Sequence, residues 1–344
     1  MLLTVFRFLA WLPLPVLHAV GRLAGRIAYA KPGKYRQRMQ ANARQAGYDH
    51  PAFARRAAAQ AGAMIMELPK VWLRSEQSLA ITTSDDDHVV KQALAEGRGI
   101  LYLTPHLGCF EIAGRYQTLH GPITVMFRPP RKEILAPVME SARNTSALRA
   151  VPATMQGVRE FVRALKRGEA VGMLPDQAPA QGDGVWAPFF GRPAYTMTLA
   201  GKLAAQTGVA VILTAGERLP RGKGWRIHYL RLPDPFPADP LEQAVLINST
   251  MERLIRRFPE QYLWSYNRYK IPSGAPPPPQ TADAPATSLR APSPTPADSD
   301  SGSGPMSAAT KDTRDMSTPN SAEQSATKAS AIAGSLPARS RSEN

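Results

Sequence analysis

The chain has 344 residues, one cysteine and a formal net charge of +15, enough length for one large domain or two of medium size. A lone cysteine excludes an internal disulfide framework and a cysteine-rich zinc site, and it fits a reducing compartment. The charge calls for anionic partners, namely nucleic acid, membrane headgroups or an acidic protein. It is unevenly spread: residues 1–48 hold eight Lys/Arg and no Asp/Glu, whereas residues 272–344 hold six against seven.

The amino terminus sets the first expectation. Between Arg7 and Arg22 lie 14 residues without Lys, Arg, Asp or Glu, shorter than the roughly 20 that span a bilayer core as a helix, and Pro13 and Pro15 interrupt them. Residues 1–30 therefore read as an interfacial or re-entrant membrane-anchoring helix. Phe6, Phe8, Leu9, Trp11 and Leu12 would supply apolar and amphipathic contacts, and Arg7, Arg22, Arg26 and Lys31 would meet anionic headgroups. The plainer alternative is a helix buried in the protein's own core.

Lys34 to Gln45 reads as a basic helix, and Pro51 to Arg74 as a longer one with Phe53, Ala57, Ala61, Met64, Leu68 and Val71 at helical spacing. Asp85 to Asp87 is an acidic helix start, favourable at the positive end of the helix dipole. Strand and helix signals then alternate. Strand Ile100–Thr104 precedes a helix from Phe110, and strand Ile123–Phe127 precedes a helix from about Lys132 to Asn144. A short run at Leu148–Val151 leads to helix Met155–Lys166, with Met155, Val158, Phe161, Val162 and Leu165 on one apolar face. Strand Ala170–Leu174, helix Thr196–Gln206, strand Val209–Ala215, an antiparallel strand Trp225–Leu232 and helix Leu241–Phe258 complete the series. This predicts an α/β domain over residues 31–271, a mixed central sheet covered by helices. Residues 272–344 carry 12 of the 33 prolines and no Phe, Trp or Tyr. Such a segment cannot bury enough apolar surface to offset its ordering entropy, so a disordered tail is expected.

In sheets of this kind, sites lie beyond the carboxyl ends of strands. His106 sits just past the first strand, after Pro105, and Glu111 follows five residues later. Gly108 permits a bend that would let the two meet, and an imidazole oriented by a carboxylate is a general base. A histidine near a strand end with an unrelated helix glutamate is the bland alternative, and spacing alone does not choose between them. Asp176 and Gln177 follow a second strand end, where Asp also caps turns routinely. Arg128, Arg143 and Arg192 suit bidentate phosphate contacts but equally suit a solvated basic face. Phe189 and Phe190 could line an acyl groove or simply fill the core. Cys109 as a nucleophile would leave Glu111 without a role.

Several segments, taken in order, carry a resemblance: Arg38–Asn42, TPHLGCFE at Thr104–Glu111, Phe127–Pro129, Arg143-Asn144, LPDQ at Leu174–Gln177, PFFGRPA at Pro188–Ala194 and PEQYLW at Pro259–Trp264. Together they are similar to the bacterial lipid A biosynthesis (lauroyl/myristoyl) acyltransferases of the lysophospholipid-acyltransferase-like superfamily, with its His-x4-Asp/Glu motif. Two departures are Cys109-Phe110, where many members have Asn-Trp, and Tyr266, where many have histidine. The resemblance implies a glycerol-phosphate-acyltransferase-like fold at the cytoplasmic face of the inner membrane. It also implies transfer of a fatty acyl chain from acyl carrier protein, or less often coenzyme A, to a hydroxyl of an anionic lipid A precursor. On that reading His106 is the base and Glu111 orients it. Arg128, Arg143, Asp176, Gln177 and Arg192 bind substrate, backbone donors near Gly108 serve the oxyanion, and neither cofactor nor metal is required. A lysophospholipid, ornithine-type lipid or glycolipid acceptor is the nearest alternative. A non-catalytic binding protein is a further one, for which aromatic and basic residues interleave at Trp264–Lys270, although no nucleic-acid partner is expected.

Overall fold

The computed structural model describes residues 2–127 and 147–279. The predicted helix Lys132–Asn144, with Arg128 and Arg143, lies outside these residues, as does the chain from Gln280 on. The described strands are β1 (Thr82–Ser84), β2 (Ile100–Leu103), β3 (Ile123–Phe127), β4 (Leu148–Pro152), β5 (Ala170–Met173), β6 (Gly184–Phe189), β7 (Arg192–Met197), β8 (Ala210–Arg218) and β9 (Trp225–Arg231). Seven form one sheet in the order β1-β9-β8-β2-β5-β3-β4. Its pairs are parallel except β8 with β9, which is the mixed sheet expected from the alternation.

Strand β2 is central, with Leu103 level with Met173 of β5 and Leu213 of β8. All four of its residues are buried, because helices cover both sheet faces and an apolar run suits both. Alternate side chains divide between two cores. Leu101 and Leu103 join Phe161, Val171, Val211, Met251 and Leu254. Ile100 and Tyr102 join Trp72, Ile112, Ile212 and Trp225.

The covering helices are α1 (Leu2–Trp11), α2 (Leu14–Ala30), α3 (Lys34–Gln45), α4 (Pro51–Leu73), α5 (Ser75–Ala80), α6 (Asp87–Ala95), α7 (Phe110–Tyr116), α8 (Met155–Lys166), α9 (Leu199–Thr207) and α10 (Pro240–Arg257). Caps fix several starts. Thr154 accepts from the Gly157 N–H at the head of α8, and Asp239 accepts from Leu241 and Glu242 at the head of α10, satisfying amides that the first turn leaves open. In α8, Phe161 and Leu165 are buried as expected, Val158 and Val162 are half-buried, and Met155 in the first turn is exposed.

Short elements escaped the sequence reading. The helix Ser75–Ala80 and the three-residue edge strand β1 are two of them. Another is the β6–β7 hairpin, a two-stranded sheet of its own, so the Pro188–Ala194 ridge is a turn flanked by strands. Phe189 and Phe190 are both buried and pack against Trp264, Tyr262 and Tyr269. They belong to the core.

The amino terminus is packed on the domain along part of its surface and exposed along the rest. Helices α1 and α2 are broken at Pro13, and Lys70 Nζ donates to the carbonyls of Ala10 and Leu12 at the end of α1. One face of α2 packs on α4 through Leu17, Gly21 and Gly25. A Cβ on Gly62 of α4 would lie 2.0 Å from the Gly21 carbonyl oxygen, so this crossing requires glycine. The other face leaves Val16, Val20, Leu23 and Ile27 exposed, and Phe8 and Trp11 of α1 are 65% and 71% exposed. Among the described residues no helix is long and apolar enough to cross a membrane. Beyond Pro272 the chain stays on the domain for a few residues, since the Trp186 indole N–H donates to the Pro276 carbonyl.

Candidate active site

The register of β2 on β5 builds the site. Leu103 is paired with Met173, and each strand is followed at the same offset of three by a polar residue, His106 and Asp176. Both lie beyond the carboxyl edge of the sheet. Asp176 Oδ1 is 2.8 Å from His106 Nδ1, and Asp176 Oδ2 accepts the His106 backbone N–H at 2.9 Å. His106 is 8% exposed and Asp176 2%. Burial alone would raise the Asp176 carboxyl. The neighbouring imidazole and its hydrogen bonds, with Arg268, outweigh that and hold it below its ordinary value. With an ionised carboxylate on Nδ1, the neutral ring carries its proton there and turns the Nε2 lone pair outward. The Gln177 side-chain amide lies 3.4 Å from Nε2, and the Phe110 ring tilts against the imidazole at 5.1 Å.

Among the described residues the ring nitrogens of His106 meet Asp176 and Gln177. Glu111 is in the first turn of α7, and Asp176 is delivered by strand register. Asp176, expected among the substrate-binding residues, has both oxygens on His106. Arg192 is exposed at the start of β7 with its guanidinium over the Tyr269 ring at 4.7 Å. Cys109 is fully buried, and burial pushes its thiol well above the ordinary value, which is opposite to what a nucleophile needs.

The turn after His106 is held from outside. The Leu263 N–H donates to the His106 carbonyl, the Gly108 N–H to the Gln261 carbonyl, and the Cys109 N–H to the Gly216 carbonyl at 2.7 Å. The Gly108 and Cys109 amides are thereby engaged, so they are not the oxyanion donors anticipated near Gly108. Gly108 has φ +61°, and a Cβ there would sit 2.0 Å from the Gly216 carbonyl oxygen. Two of the segments singled out in the sequence support this wall. Asn42 donates to the carbonyls of Trp264 and Tyr266 at 2.7 Å each, and the Tyr266 hydroxyl accepts the Ala178 N–H, two residues past Asp176. The buried Arg268 donates to the Tyr195 carbonyl and the Thr196 hydroxyl, tying the same segment to the hairpin.

Sequence reasoning missed one further cluster. Glu67, on the buried face of α4, accepts from Arg218 Nε at 2.8 Å and from Arg218 Nη2, from Trp225 Nε1 at 3.1 Å, and from His18 Nε2 at 2.8 Å. A single acid inside the apolar run Met64–Leu73 was the signal available. Burial keeps the His18 ring below its ordinary value despite Glu67. For Glu67 burial works the other way, but the Arg218 charge and the hydrogen bonds prevail and hold its carboxyl at about 2, against an ordinary 4.5. A depressed carboxyl contributes stability that is complete above its unfolded value and is lost as pH falls through the folded one. The melting temperature should therefore fall more steeply between pH 4.5 and about 2 in the parent than in Glu67→Gln/Arg218→Met. Thermal scans across that window check this, and parallel curves would contradict it.

The chain is 29% identical over 184 residues to the lipid A biosynthesis palmitoleoyltransferase of Escherichia coli K12, covering 53% of this chain and 59% of that protein. It is 28% identical over 222 residues to the lipid A biosynthesis lauroyltransferase of the same organism, covering 62% and 71%. A lipid A biosynthesis acyltransferase of Haemophilus influenzae is 28% identical over 181 residues, covering 51% and 55%. The chain thus spans about three-fifths of the first of these relatives. The model of one family, described as bacterial lipid A biosynthesis acyltransferase, matches residues 1–271, a span that takes in α1 and α2, His106, Asp176 and the Pro259–Trp264 run, and the chain belongs to that family.

Proposed function

We propose that the protein moves a fatty acyl chain from a thioester of acyl carrier protein or coenzyme A to a hydroxyl of a lipid A precursor, with His106 as general base. The observation that carries this reading is the pair of hydrogen bonds between Asp176 and His106, which leaves Nε2 as the basic atom. Nε2 takes the proton of the acceptor hydroxyl as its oxygen attacks the thioester carbonyl. The C–S bond then breaks, and the departing thiolate takes the proton from the imidazolium. The products are an ester and a free thiol, and no acyl-enzyme forms. Asp176 fixes the tautomer and offsets the transient imidazolium charge. Glu111 is retained as the acid of the His-x4-Asp/Glu motif, with a smaller expected effect than Asp176. Arg128, Arg143, Gln177 and Arg192 are proposed for the acceptor phosphates or the donor. The relatives' names, palmitoleoyl- and lauroyltransferase, agree with a fatty acyl donor. Lipid mass spectrometry of a deletion strain tests the acceptor: loss of one acyl chain from lipid A is expected, whereas an unchanged lipid A with an altered phospholipid or ornithine lipid would move the chemistry elsewhere.

The same reading seats residues 1–30 on the cytoplasmic face of the inner membrane. The exposed Val16, Val20, Leu23 and Ile27 recur at spacings of four, three and four along α2, with Phe8 and Trp11 exposed on α1, and the first 48 residues carry no acid. An apolar stripe with one-sided basic charge suits an anionic interface. Deleting residues 1–30 would also strip the α4 face, so a surface change is the cleaner test. Leu23→Asp/Ile27→Asp should move the protein from the membrane fraction to the soluble one with its melting temperature unchanged. An unaltered membrane fraction would refute the anchor. The domain assignment 31–271, with a tail after it, is proposed with the boundary nearer Gln280 than Pro272, given the Pro276 contact.

A further inference from the structure

The Glu67–Arg218 pair lies outside the reacting groups, yet it abuts the turn that carries them. Arg218 Nη2 is 3.4 Å from the Gly108 carbonyl oxygen, and Nη1 reaches Gln60 Oε1 at 3.1 Å and Gln261 Oε1 at 3.3 Å. Gln261 is clasped to Arg218 twice more: its Oε1 accepts the Arg218 backbone N–H at 2.8 Å, and its Nε2 donates to the Arg218 carbonyl at 3.1 Å. The Gln261 carbonyl in turn accepts the Gly108 N–H at 3.0 Å. Both polar groups of the Gly108 residue, two positions from His106, therefore lead to one guanidinium. That guanidinium is oriented by a carboxylate which also holds α2, through His18, and β9, through Trp225.

A buried ion pair is weak support for a fold, because apolar residues of similar volume often serve stability as well or better. What such residues cannot do is hold a carbonyl and an amide in fixed directions. We propose that Glu67 is a positioning residue for the transfer reaction, acting through Arg218 to fix the Gly108 turn and with it the imidazole of His106. The proposal rests on His106 being the base. Without the guanidinium, the Gly108 carbonyl and Gln261 lose their common partner and the turn can shift. A displacement of about 1 Å at a reacting group costs on the order of 100-fold in rate. Glu67 and Arg218 are both buried and do not themselves touch acceptor or donor, so the loss should fall on kcat.

The test compares the full-length parent with two variants. Arg218→Lys keeps the buried charge balance with Glu67 but gives up the planar fork, and Glu67→Gln/Arg218→Met removes both charges together. Melting temperature, kcat and KM are measured with an acyl-thioester donor and a lipid A precursor, beside His106→Ala. The expected result is a fall in kcat of roughly 10- to 100-fold in both variants, with KM unchanged and Arg218→Lys melting close to the parent. A folded variant with parental kcat overturns the proposal. So does a kcat that falls only where the melting temperature has collapsed, since that is the behaviour of an ordinary structural ion pair. If His106→Ala itself keeps full activity, the base assignment fails and the positioning role falls with it. If His106→Ala is inactive while both variants turn over normally, only the positioning role is lost.

Discussion

Asp176→Asn is expected to lower kcat for acyl transfer by roughly 10²- to 10⁴-fold, the range over which a mis-oriented base loses its advantage. Asp176 accepts two hydrogen bonds from His106, one from the backbone N–H and one at Nδ1. An asparagine has one acceptor oxygen for these two donors. If it serves the backbone, its amide N–H₂ faces Nδ1 and draws the ring proton to Nε2, the atom that must accept a proton from the substrate. The carboxylate charge that offsets the imidazolium is lost as well. The volume is nearly unchanged, so the variant should fold. Glu111→Gln should cost less, because both carboxylate oxygens of Asp176 already serve His106. Steady-state kinetics of the two variants check the order, and a larger loss for Glu111→Gln would return the orienting role to that residue.

The second large effect belongs to Gly108→Ala. At φ +61° an L side chain is strained by about 1–2 kcal/mol, and here the added Cβ would lie 2.0 Å from the Gly216 carbonyl oxygen, a backbone atom. The turn or β8 must move. The expected cost is about 2–4 kcal/mol, seen as a fall of roughly 5–15 °C in melting temperature for a domain of this size, with activity reduced beyond what the stability loss explains. Gly97→Ala is the control, since Gly97 has φ +69° but nothing within 4 Å of the added Cβ. It isolates backbone strain from close approach. Equal effects of the two substitutions on melting and activity would show that the contact with Gly216 is unimportant.

How much of this was legible in the sequence depends on the range of the determining contact. Ile100–Leu103 and Ala170–Met173 announce themselves as short apolar runs because both sheet faces are covered. Pro105 marks where the first ends. The strand ends locate His106 and Asp176 on one edge. Their pairing was hidden, because it depends on β2 and β5 being adjacent and in register across 70 residues, and local spacing named no partner for His106. The β6–β7 hairpin was hidden for a different reason. Its two-residue turn is Phe190-Gly191, with φ 47° and 73°, in place of the Asn-Gly or Asp-Gly that signals such turns. The strain at Phe190 is offset by tertiary contacts: its N–H donates to Glu252 and its carbonyl accepts from Gln45. The amino terminus was read as facing lipid or facing the core; α2 has one face packed on α4 and the other exposed. Glu67 was passed over because one acid in an apolar stripe names no partner until α2, β8 and β9 converge on it.

The most direct test of the central claim is thioester consumption by purified His106→Ala in the presence of a lipid A precursor, with circular dichroism and melting temperature measured alongside. Removal of the base predicts a folded protein in which acceptor-dependent release of free thiol falls by at least 10²-fold, with no acylated protein detected by intact mass. Parental thiol release from folded His106→Ala, or a stable acyl adduct on either protein, would contradict direct transfer by His106.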